Sequence, residues 1–284
     1  MIGKIVMITG ATGGIGRETA KGLAYMGATV VLVSRSTEKL IRVASELKSE
    51  TRNDHIDYLP CDLTSMENVR KLASDFKERY DRLDVLINNA GEIINERRTS
   101  VDGYEYTLAL DHLSHFLLTA LLQDIIKRSA PSKIINVSSM AHILGHINFD
   151  DIMIEKGYTP GKAYGQAKLA NILFTYELAR RLSKTGVTVN CLHPGMVRTN
   201  FGKDTTGAWK LFLLLSKPFM ISARKGAQTS IYLASSPDVV SVTGKYFAKK
   251  KEKKSSKESY DENVAKRFWE ISEKLTGMGQ THQE

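Results

Sequence analysis

The chain of 284 residues contains only two cysteines, and it has no apolar run long enough to cross a membrane. Cys61 and Cys191 each end an apolar, strand-like run, so we expect buried thiols rather than a disulfide or a metal pair. A transmembrane helix needs about 18 consecutive apolar residues, which no stretch provides. The amino terminus enters a strand at once and lacks a signal-peptide pattern. These absences predict a soluble, cytoplasmic protein with at most peripheral membrane contact.

Positive charge is in excess, but the excess is local. The net charge is +9, and residues 245–257, with seven lysines and one glutamate, account for +6 of it. Residues 249–257 have no interleaved aromatic side chains on which bases could stack, so nucleic acid is not an expected partner. We interpret this segment as a solvated basic loop before the last helix.

Short β-branched runs alternate with longer helical patterns along almost the whole chain. Strands are predicted at residues 4–8, 29–33, 56–61, 85–88, 133–137, 187–192 and 244–247, and helices near 14–26, 38–50, 65–80, 103–128, 162–183 and 223–235. Several strands are apolar at every position, as strands covered on both faces are. The pattern predicts an α/β fold, a doubly wound (Rossmann) parallel sheet of about seven strands with helices on both faces. Without a repeat or a linker, residues 1–284 form a single predicted domain.

Two segments interrupt the alternation. Residues 140–161 contain turn signals, and we expect their His142 and His146 in a surface loop, with a place in a pocket lining as the alternative. Residues 200–222 include a short apolar helix at 209–215, which is too short to span a bilayer. We interpret this second segment as a substrate loop or lid, packed on the fold, over an apolar pocket, or both.

The first strand runs into a glycine-rich turn that opens a helix, Thr9-Gly10-Ala11-Thr12-Gly13-Gly14-Ile15-Gly16. In this setting the backbone can approach a pyrophosphate, and the helix amino terminus supplies free N–H groups. Two glycine spacings fit, because either Gly13 or Gly14 can be the middle member. We expect the cofactor contacts of the turn to come from Gly10, Thr12, Gly14, Ile15 and Gly16.

The second strand ends at Ser34-Arg35 without the acidic residue that usually accepts from the ribose of NAD. A guanidinium can hold a 2′-phosphate by two parallel hydrogen bonds, whereas a carboxylate would repel it. Arg35, with Arg17 just beyond the glycine turn, therefore predicts NADP(H) rather than NAD(H).

Tyr164 and Lys168 lie four residues apart on the helix predicted at 162–183, so both side chains can reach one site. A phenol has a pKa of about 10, and a nearby cation lowers it by favouring the phenolate. A tyrosine that exchanges protons near neutral pH needs this arrangement. The pair is a candidate acid/base couple.

Six motifs follow one another in a set order: Thr9-Gly10-(three residues)-Gly14-Ile15-Gly16, Cys61-Asp62-Leu63, Asn88-Asn89-Ala90-Gly91, Val137-Ser138-Ser139, Tyr164-(three residues)-Lys168 and His193-Pro194-Gly195. On these motifs the chain resembles the short-chain dehydrogenases/reductases over nearly its whole length. The stretches that begin at Asp111 and Lys168, the stretch Leu192-His193-Pro194-Gly195-Met196-Val197-Arg198-Thr199, and the closing stretch at Trp269 resemble the retinol-dehydrogenase-like branch.

The resemblance implies a role for each matching position. Asp62 and Leu63 would border the adenine. Ser139 would hold the substrate carbonyl oxygen, Tyr164 would pass a proton to it, and Lys168 would lower the tyrosine pKa and hold the nicotinamide ribose. The remaining cofactor contacts that it implies are Asn89, Ala90 and Gly91 beside the fourth strand and Pro194, Gly195, Val197 and Thr199 at the nicotinamide end.

Asp111 departs from the resemblance, because the family usually has Asn at this position as a support for the catalytic lysine. If the main-chain carbonyl provides that support, Asp111 can provide it too. A carboxylate near Lys168 could instead hold the ammonium more tightly and weaken its effect on Tyr164. We keep Asp111 as a fourth candidate catalytic residue.

Together these features predict an NADP(H)-dependent oxidoreductase that interconverts an alcohol and a hydrophobic aldehyde or ketone, retinal-like or lipid-like. Two alternatives stay open: a cofactor-binding sensor without turnover, and a sugar-nucleotide epimerase of the extended branch. No metal is expected, since His112 and His115 have no further ligands beyond Asp111. By analogy with the family's usual dimerisation helix, the segment near 103–128 predicts a homo-oligomer, a dimer.

Overall fold

The computed structural model describes residues 1–198 and 220–278. Within these residues one sheet has eight strands in the order β3-β2-β1-β4-β5-β6-β7-β8. The strands are β1 Ile5–Thr9, β2 Thr29–Ser34, β3 Ile56–Pro60, β4 Val85–Asn88, β5 Ser132–Val137, β6 Val187–His193, β7 Lys245–Ala248 and β8 Lys251–Lys253. The first seven pair in parallel, and β8 pairs antiparallel to β7. The predicted doubly wound fold is confirmed.

Seven longer helices cover the two faces of the sheet in the described part of the chain. They are α1 Gly14–Tyr25, α2 Thr37–Thr51, α3 Met66–Arg79, α4 Ser114–Arg128, α5 Pro160–Arg181, α6 Ala223–Ser235 and α7 Glu262–Thr276. One apolar cluster joins α1, α2 and α6 to one face, and a larger cluster joins α3, α4, α5 and α7 to the other. Strands such as β2, with Val30 and Leu32 in one cluster and Val31 and Val33 in the other, separate the two layers.

Two details differ from the sequence prediction, and a third prediction is not tested by the described residues. The predicted helix at 103–128 consists of an α-turn at Tyr106–Leu108, a π-helical turn at Ala109–Leu113 and then α4. The predicted basic loop at 249–257 is wrong in part, because its Lys251–Lys253 form β8 and Lys257–Tyr260 a 3-10 turn. The predicted helix at 209–215 and most of the predicted lid at 200–222 lie outside the described residues.

The strand order reverses direction at β1, whose neighbours are β2 on one side and β4 on the other. In open α/β sheets, ligands bind outside the carboxyl ends of the strands at such a switch point. The fold therefore predicts a ligand site between the loops after β1 and β4. Within the described residues, no helix is both long and apolar enough to cross a bilayer.

Candidate active site

A cavity of about 1000 Å³ opens along the carboxyl ends of the strands. Six neighbouring strands end at its wall, where they place Gly10, Arg35, Cys61, Asn89, Ser138 and Pro194. It also brings together most of the other predicted site residues, namely Gly14, Ile15, Gly16, Asp62, Leu63, Ala90, Gly91, Ser139, Tyr164, Lys168, Gly195 and Val197. Among the described residues, Thr12 and Asp111 are not part of the cavity wall. Thr199 lies outside the described residues.

The glycine turn, residues 10–16, is shaped by close packing and by backbone conformation. Gly10 and Gly14 have φ values of 66° and 53°, which residues with side chains rarely adopt. A Cβ on Gly10 would meet Ala90 Cα at 2.9 Å, and one on Gly16 would meet the Gly10 carbonyl. Gly10, Gly14 and Gly16 are therefore all required, which favours that spacing of the two considered. Gly13 is the N-cap residue of α1 and provides no side-chain hydrogen bond to the helix, and a Cβ on it would contact no other atom. The first N–H groups of α1 are therefore accessible to a pyrophosphate.

Asn89 ties the loop after β4 to the end of β1. Its side-chain nitrogen donates to the Thr9 carbonyl at 2.8 Å. In return, the Thr9 hydroxyl accepts from the backbone N–H groups of Asn89 and Ala90 at 2.9 and 3.0 Å. These bonds hold the glycine turn and the Asn89-Ala90-Gly91 stretch together as the two walls of the switch-point crevice.

Arg35 is exposed at the cavity wall after β2, where its guanidinium donates to the Tyr106 hydroxyl at 3.4 Å. Arg17, expected as a second cation for a 2′-phosphate, instead pairs with Glu46 and Glu50 of α2 at 2.9 and 2.7 Å. These two acids hold the Arg17 charge in the structure, and its contact with a 2′-phosphate stays a prediction. Of the two predicted cations, Arg35 is the one that lines the cavity.

Two other predicted cofactor positions use their side chains within the protein. The Thr12 hydroxyl is hydrogen-bonded to the Ser34 hydroxyl at 3.0 Å. The Asp62 carboxylate accepts from the backbone N–H and the hydroxyl of Thr64 at 3.0 and 2.8 Å. Asp62 and Leu63 line the cavity, whereas Thr12 supports its wall through Ser34.

The candidate acid/base couple lies near the start of α5. Thr159 caps this helix by accepting from the Lys162 N–H, and Pro160 occupies its first turn, where a missing N–H costs nothing. Tyr164 and Lys168 are 9% and 3% exposed, and the Lys168 Nζ lies 5.2 Å from the centre of the Tyr164 ring. The Ser139 and Tyr164 side chains are hydrogen-bonded. The predicted pair and serine thus meet at one place in the cavity.

Asp111 joins this group through its side chain, which contacts Lys168. Its carboxylate lies 2.7 Å from Lys168 Nζ, and its other oxygen accepts from the Glu92 backbone N–H at 2.9 Å. The main-chain carbonyl of Asp111 accepts from the Asn171 side chain at 2.9 Å. Of the two arrangements considered for Asp111, the structure has the direct ion pair. We call Asp111, Ser139, Tyr164 and Lys168 the catalytic cluster.

Burial and charge act against each other in the catalytic cluster. Burial raises the pKa of Tyr164, and so does the Asp111 charge, while Lys168 and the hydrogen bond with Ser139 lower it; the net pKa is raised. Burial would lower the pKa of Lys168, but Asp111 and Tyr164 raise it overall, so the ammonium stays charged. Burial also raises the pKa of Asp111 against the lowering effect of Lys168. The Asp111 carboxylate therefore opposes the lowering of the Tyr164 pKa by Lys168.

The π-helical turn at Ala109–Leu113 places Asp111 beside Lys168. A π-turn shifts the side chains that follow it relative to a regular helix, and such turns are common at functional sites. Gly91 leaves room for the pair, because a Cβ there would meet the Asp111 carboxylate at 2.7 Å and Lys168 Nζ at 2.8 Å. The loop after β4 thus packs against the Asp111–Lys168 ion pair at Gly91, where no side chain would fit.

After β6, the chain turns through Pro194 and Gly195 at the wall of the cavity. Gly195 has a φ of 99°, and Val197 forms a parallel bridge with Ile221. The Ile221 N–H donates to the Met196 carbonyl at 2.8 Å. Residues 196–198 and 220–221 therefore lie side by side, with Met196, Val197 and Met220 in the cavity wall.

The cavity also has an apolar lining that sequence motifs did not indicate. We use this name for Leu110, Met140, Ile143, Leu144, Met196 and Met220. Ile143 and Leu144 are 59% and 85% exposed, although large exposed apolar side chains on one segment are unusual outside binding sites. Sequence reasoning could have found them only from the apolar character of the 3-10 turn Met140–Leu144, which follows the serine directly.

The residues discounted for metal or redox chemistry are held within the protein. Cys61 and Cys191 are reduced and buried, as predicted, and burial raises the pKa of each thiol to about 12. His112 is hydrogen-bonded to Asn171 and to Ser272. No group of three or more potential ligands that could hold a metal ion occurs among residues 1–198 and 220–278.

Comparison with known proteins gives one family and a consistent set of relatives. A family model described as short chain dehydrogenase matches residues 4–208. The chain is 44% identical to Retinol dehydrogenase 13 of Homo sapiens over 97% of this chain and 85% of the relative. It is also 44% identical to Retinol dehydrogenase 14 of Mus musculus over 98% of this chain and 87% of the relative.

Solved structures with the same fold include bacterial proteins. An uncharacterized protein from Mycobacterium Paratuberculosis aligns with a TM-score of 0.78 and 32% identity over 97% of this chain and 94% of its own. The RhlG protein of Pseudomonas aeruginosa, in an NADP active-site complex, aligns with a TM-score of 0.71 and 27% identity over 87% of this chain and 94% of its own.

Proposed function

The chain belongs to the short-chain dehydrogenase family, and from that premise we propose that it is an NADP(H)-dependent reductase of hydrophobic aldehydes or ketones. Membership of the family makes the chain an oxidoreductase that interconverts alcohols and carbonyl compounds with a nicotinamide cofactor. The observation that supports the proposal most is the meeting of Ser139, Tyr164 and Lys168 in one cavity with the glycine turn.

The catalytic cluster can stabilise and protonate a carbonyl oxygen. The Ser139 and Tyr164 hydroxyls would both donate to that oxygen, which polarises the C=O bond. A bound nicotinamide would supply the hydride to the carbonyl carbon. As the oxygen becomes an alkoxide, the Tyr164 O–H bond breaks and its proton moves to that oxygen, which gives the alcohol. Lys168 stabilises the phenolate that remains, and solvent restores the proton.

The residues present fit a nicotinamide dinucleotide. The glycine turn offers uncapped N–H groups to the pyrophosphate, and Asn89, Ala90 and Gly91 form the facing wall. Arg35 without an acidic neighbour supports a 2′-phosphate, and thus NADP(H). The NADP complex of the RhlG protein, a relative of the same fold, supports the same choice. Comparison of the dissociation constants tests it: NADPH should bind more tightly than NADH, and a tighter NADH would contradict it.

The substrate class follows from the apolar lining. Met140, Ile143 and Leu144 expose large apolar surface to the cavity, which an aliphatic or polyene chain would cover. The relatives named retinol dehydrogenases support a long, apolar substrate. We propose retinal-like or lipid-derived aldehydes as the class, with reduction as the direction that NADPH favours. The dehydrogenase names also favour this activity over the epimerase that the glycine spacing left open.

One observation favours a second function, a cofactor-binding sensor without turnover. The Asp111 carboxylate pairs with Lys168 and could leave Tyr164 too weak an acid to react. Steady-state NADPH oxidation with aldehydes of increasing chain length, retinal and several ketones separates the two. The reductase predicts turnover that improves with chain length. Tight NADPH binding with no turnover of any carbonyl would favour the sensor.

Assembly and location remain predictions. We propose a homo-oligomer, built on α4 by analogy with the family, that works in the cytoplasm with at most peripheral membrane contact. Light scattering of the purified protein measures the first point, where a monomer at micromolar concentration would contradict it. Co-sedimentation with vesicles tests the membrane contact.

A further inference from the structure

One peptide unit, between Ser139 and Met140, is held at both of its polar ends by histidines. The Ser139 carbonyl accepts from the His142 Nδ1 at 2.6 Å. The Met140 N–H donates to the His193 Nδ1 at 3.1 Å. The two imidazoles come from different elements, since His142 lies in the 3-10 turn after β5 and His193 ends β6. His142 was expected in a surface loop, but it is 1% exposed, so that expectation is wrong.

The hydrogen bonds determine which ring nitrogen of each histidine has the proton. The His142 Nε2 accepts from the Ser256 backbone N–H at 3.1 Å, so its proton must be on Nδ1. The His193 Nδ1 accepts from a backbone N–H, so its proton must be on Nε2. Burial lowers the pKa of both rings, that of His193 to about 4, and each is therefore neutral near pH 7. The two histidines are opposite tautomers.

The held peptide unit determines where the Ser139 hydroxyl lies. Ser139 is extended, with φ −149° and ψ 160°, and its Oγ accepts from the Ala141 N–H at 3.2 Å. The Ser139 O–H is therefore the donor of this side chain, to Tyr164 in the structure and to a substrate oxygen in the proposed reaction. Any rotation of the Ser139–Met140 peptide would move Ala141 and break this bond. The His142 ring is itself fixed, since it packs edge-on against Tyr246 with ring centres 5.0 Å apart.

We propose that His142 and His193 form a histidine clamp, a pair of positioning residues that orients Ser139 through the Ser139–Met140 peptide unit. Its geometric part stands alone, whereas its effect on turnover rests on the proposed function. The clamp also links the catalytic serine to the carboxy-terminal segment, because Ser256 follows β8 and lies 114 residues from His142.

The direct test is the tautomeric state of each histidine in the unmodified protein. Two-bond ¹H–¹⁵N correlation spectra distinguish a protonated Nδ1 from a protonated Nε2, and single His→Gln variants assign the signals. The clamp predicts Nδ1–H for His142 and Nε2–H for His193 at pH 7. The same tautomer for both rings, or a charged ring, would overturn it.

A pair of substitutions at position 142 tests the effect on Ser139. An Asn amide nitrogen can reach the place of Nδ1, so His142→Asn keeps a donor to the Ser139 carbonyl. A Gln amide reaches the place of Nε2. His142→Gln therefore keeps an acceptor for the Ser256 N–H but loses the donor to the Ser139 carbonyl. We expect kcat to fall about ten- to a hundredfold in His142→Gln, with the NADPH dissociation constant unchanged, because small displacements of a catalytic group cost this much. In His142→Asn we expect a fall of less than about threefold.

His146→Gln is the matched control. His146 lies in the same segment and binds the same carboxy-terminal region, through Glu258 at 2.9 Å, but it does not contact Ser139. The clamp predicts that this variant keeps the wild-type kcat. Equal losses in His142→Asn and His142→Gln, or in His142→Gln and His146→Gln, would show a structural link only and overturn the proposal.

A readout that needs no turnover separates this proposal from the proposed function. The hydrogen bond with Ser139 lowers the pKa of Tyr164, so a displaced Ser139 must raise it. Titration of ¹³Cζ-labelled tyrosine by NMR, with Tyr164→Phe to assign the signal, should show a higher Tyr164 pKa in His142→Gln and an unchanged one in His142→Asn. Identical titrations in the two variants would contradict the clamp, even if the protein reduced no carbonyl.

Discussion

The catalytic cluster and the apolar lining face one cavity, but they are built in opposite ways. In the cluster, Tyr164, Lys168 and Asp111 are buried, and hydrogen bonds and an ion pair fix their polar atoms. The lining presents Ile143 and Leu144 largely exposed, on a turn that follows the serine. The contrast assigns the chemistry to the first region and the choice of substrate to the second. Substitutions in each region should therefore change different kinetic constants.

Loss of the Tyr164 hydroxyl should have the largest effect. In Tyr164→Phe the proton donor is missing, and general acid catalysis of this kind contributes about a hundred- to ten-thousandfold. We expect kcat for aldehyde reduction to fall by about a thousandfold, with the NADPH dissociation constant within about twofold of the wild-type value. Tyr25→Phe, at an exposed tyrosine of α1, is the control. A Tyr164→Phe enzyme with near wild-type kcat would break the assignment of chemistry to the cluster.

Arg35→Ala should change cofactor affinity without changing the chemistry. A charge-assisted hydrogen bond contributes about 1.5–3 kcal/mol, so we expect NADPH to bind about ten- to a hundredfold more weakly while NADH binding stays the same. Isothermal titration measures both. Arg17→Ala is the matched control, because Glu46 and Glu50 hold that guanidinium. An equal loss for NADPH and NADH would contradict a contact with the 2′-phosphate.

Asp111→Asn should shift the pH dependence of the reverse reaction, alcohol oxidation. That direction uses the Tyr164 phenolate as base, so its rate rises with pH through the Tyr164 pKa. The Asp111 charge raises this pKa, and its removal should move the rise to lower pH. Asn still offers an oxygen to the Glu92 N–H. An unchanged profile would mean that the carboxylate has no influence on the Tyr164 pKa. A shift to higher pH would mean that the carboxylate lowers this pKa, which contradicts the account.

Leu144→Ala should have the smallest effect and the most selective one. Removal of apolar contact with a long substrate raises KM for a long-chain aldehyde by about three- to tenfold. The KM for a short aldehyde and the NADPH dissociation constant should not change. Val101→Ala, at a similarly exposed residue that does not line the cavity, is the control. A uniform loss for short and long aldehydes would remove the distinction between the two regions.

The sequence predicted the catalytic region better than the lining for a physical reason. The glycine turn leaves no room for a side chain at Gly10 and Gly16, and Gly14 has a positive φ, so these requirements are visible in the residues. Tyr164 and Lys168 are four apart on one helix, a spacing that geometry makes meaningful. The lining consists of Met, Ile and Leu, which are equally suited to a protein core.

Long-range contacts explain the other differences. Arg17 follows the glycine turn, yet Glu46 and Glu50, some thirty residues away, hold its side chain. His142 is buried because Ser256 and Tyr246, from the carboxy-terminal hairpin region, pack on it. The strand Lys251–Lys253 has no apolar alternation to reveal it, because all three residues are charged and exposed.

The fate of the hydride tests the central claim most directly. NADPH deuterated at C4 on one face, and then on the other, would be incubated with a long-chain aldehyde and the alcohol analysed by mass spectrometry. The account predicts deuterium on the carbinol carbon from one of the two labelled forms, and almost no alcohol with Tyr164→Phe. No alcohol from the wild-type enzyme, or alcohol without deuterium from either form, would contradict it.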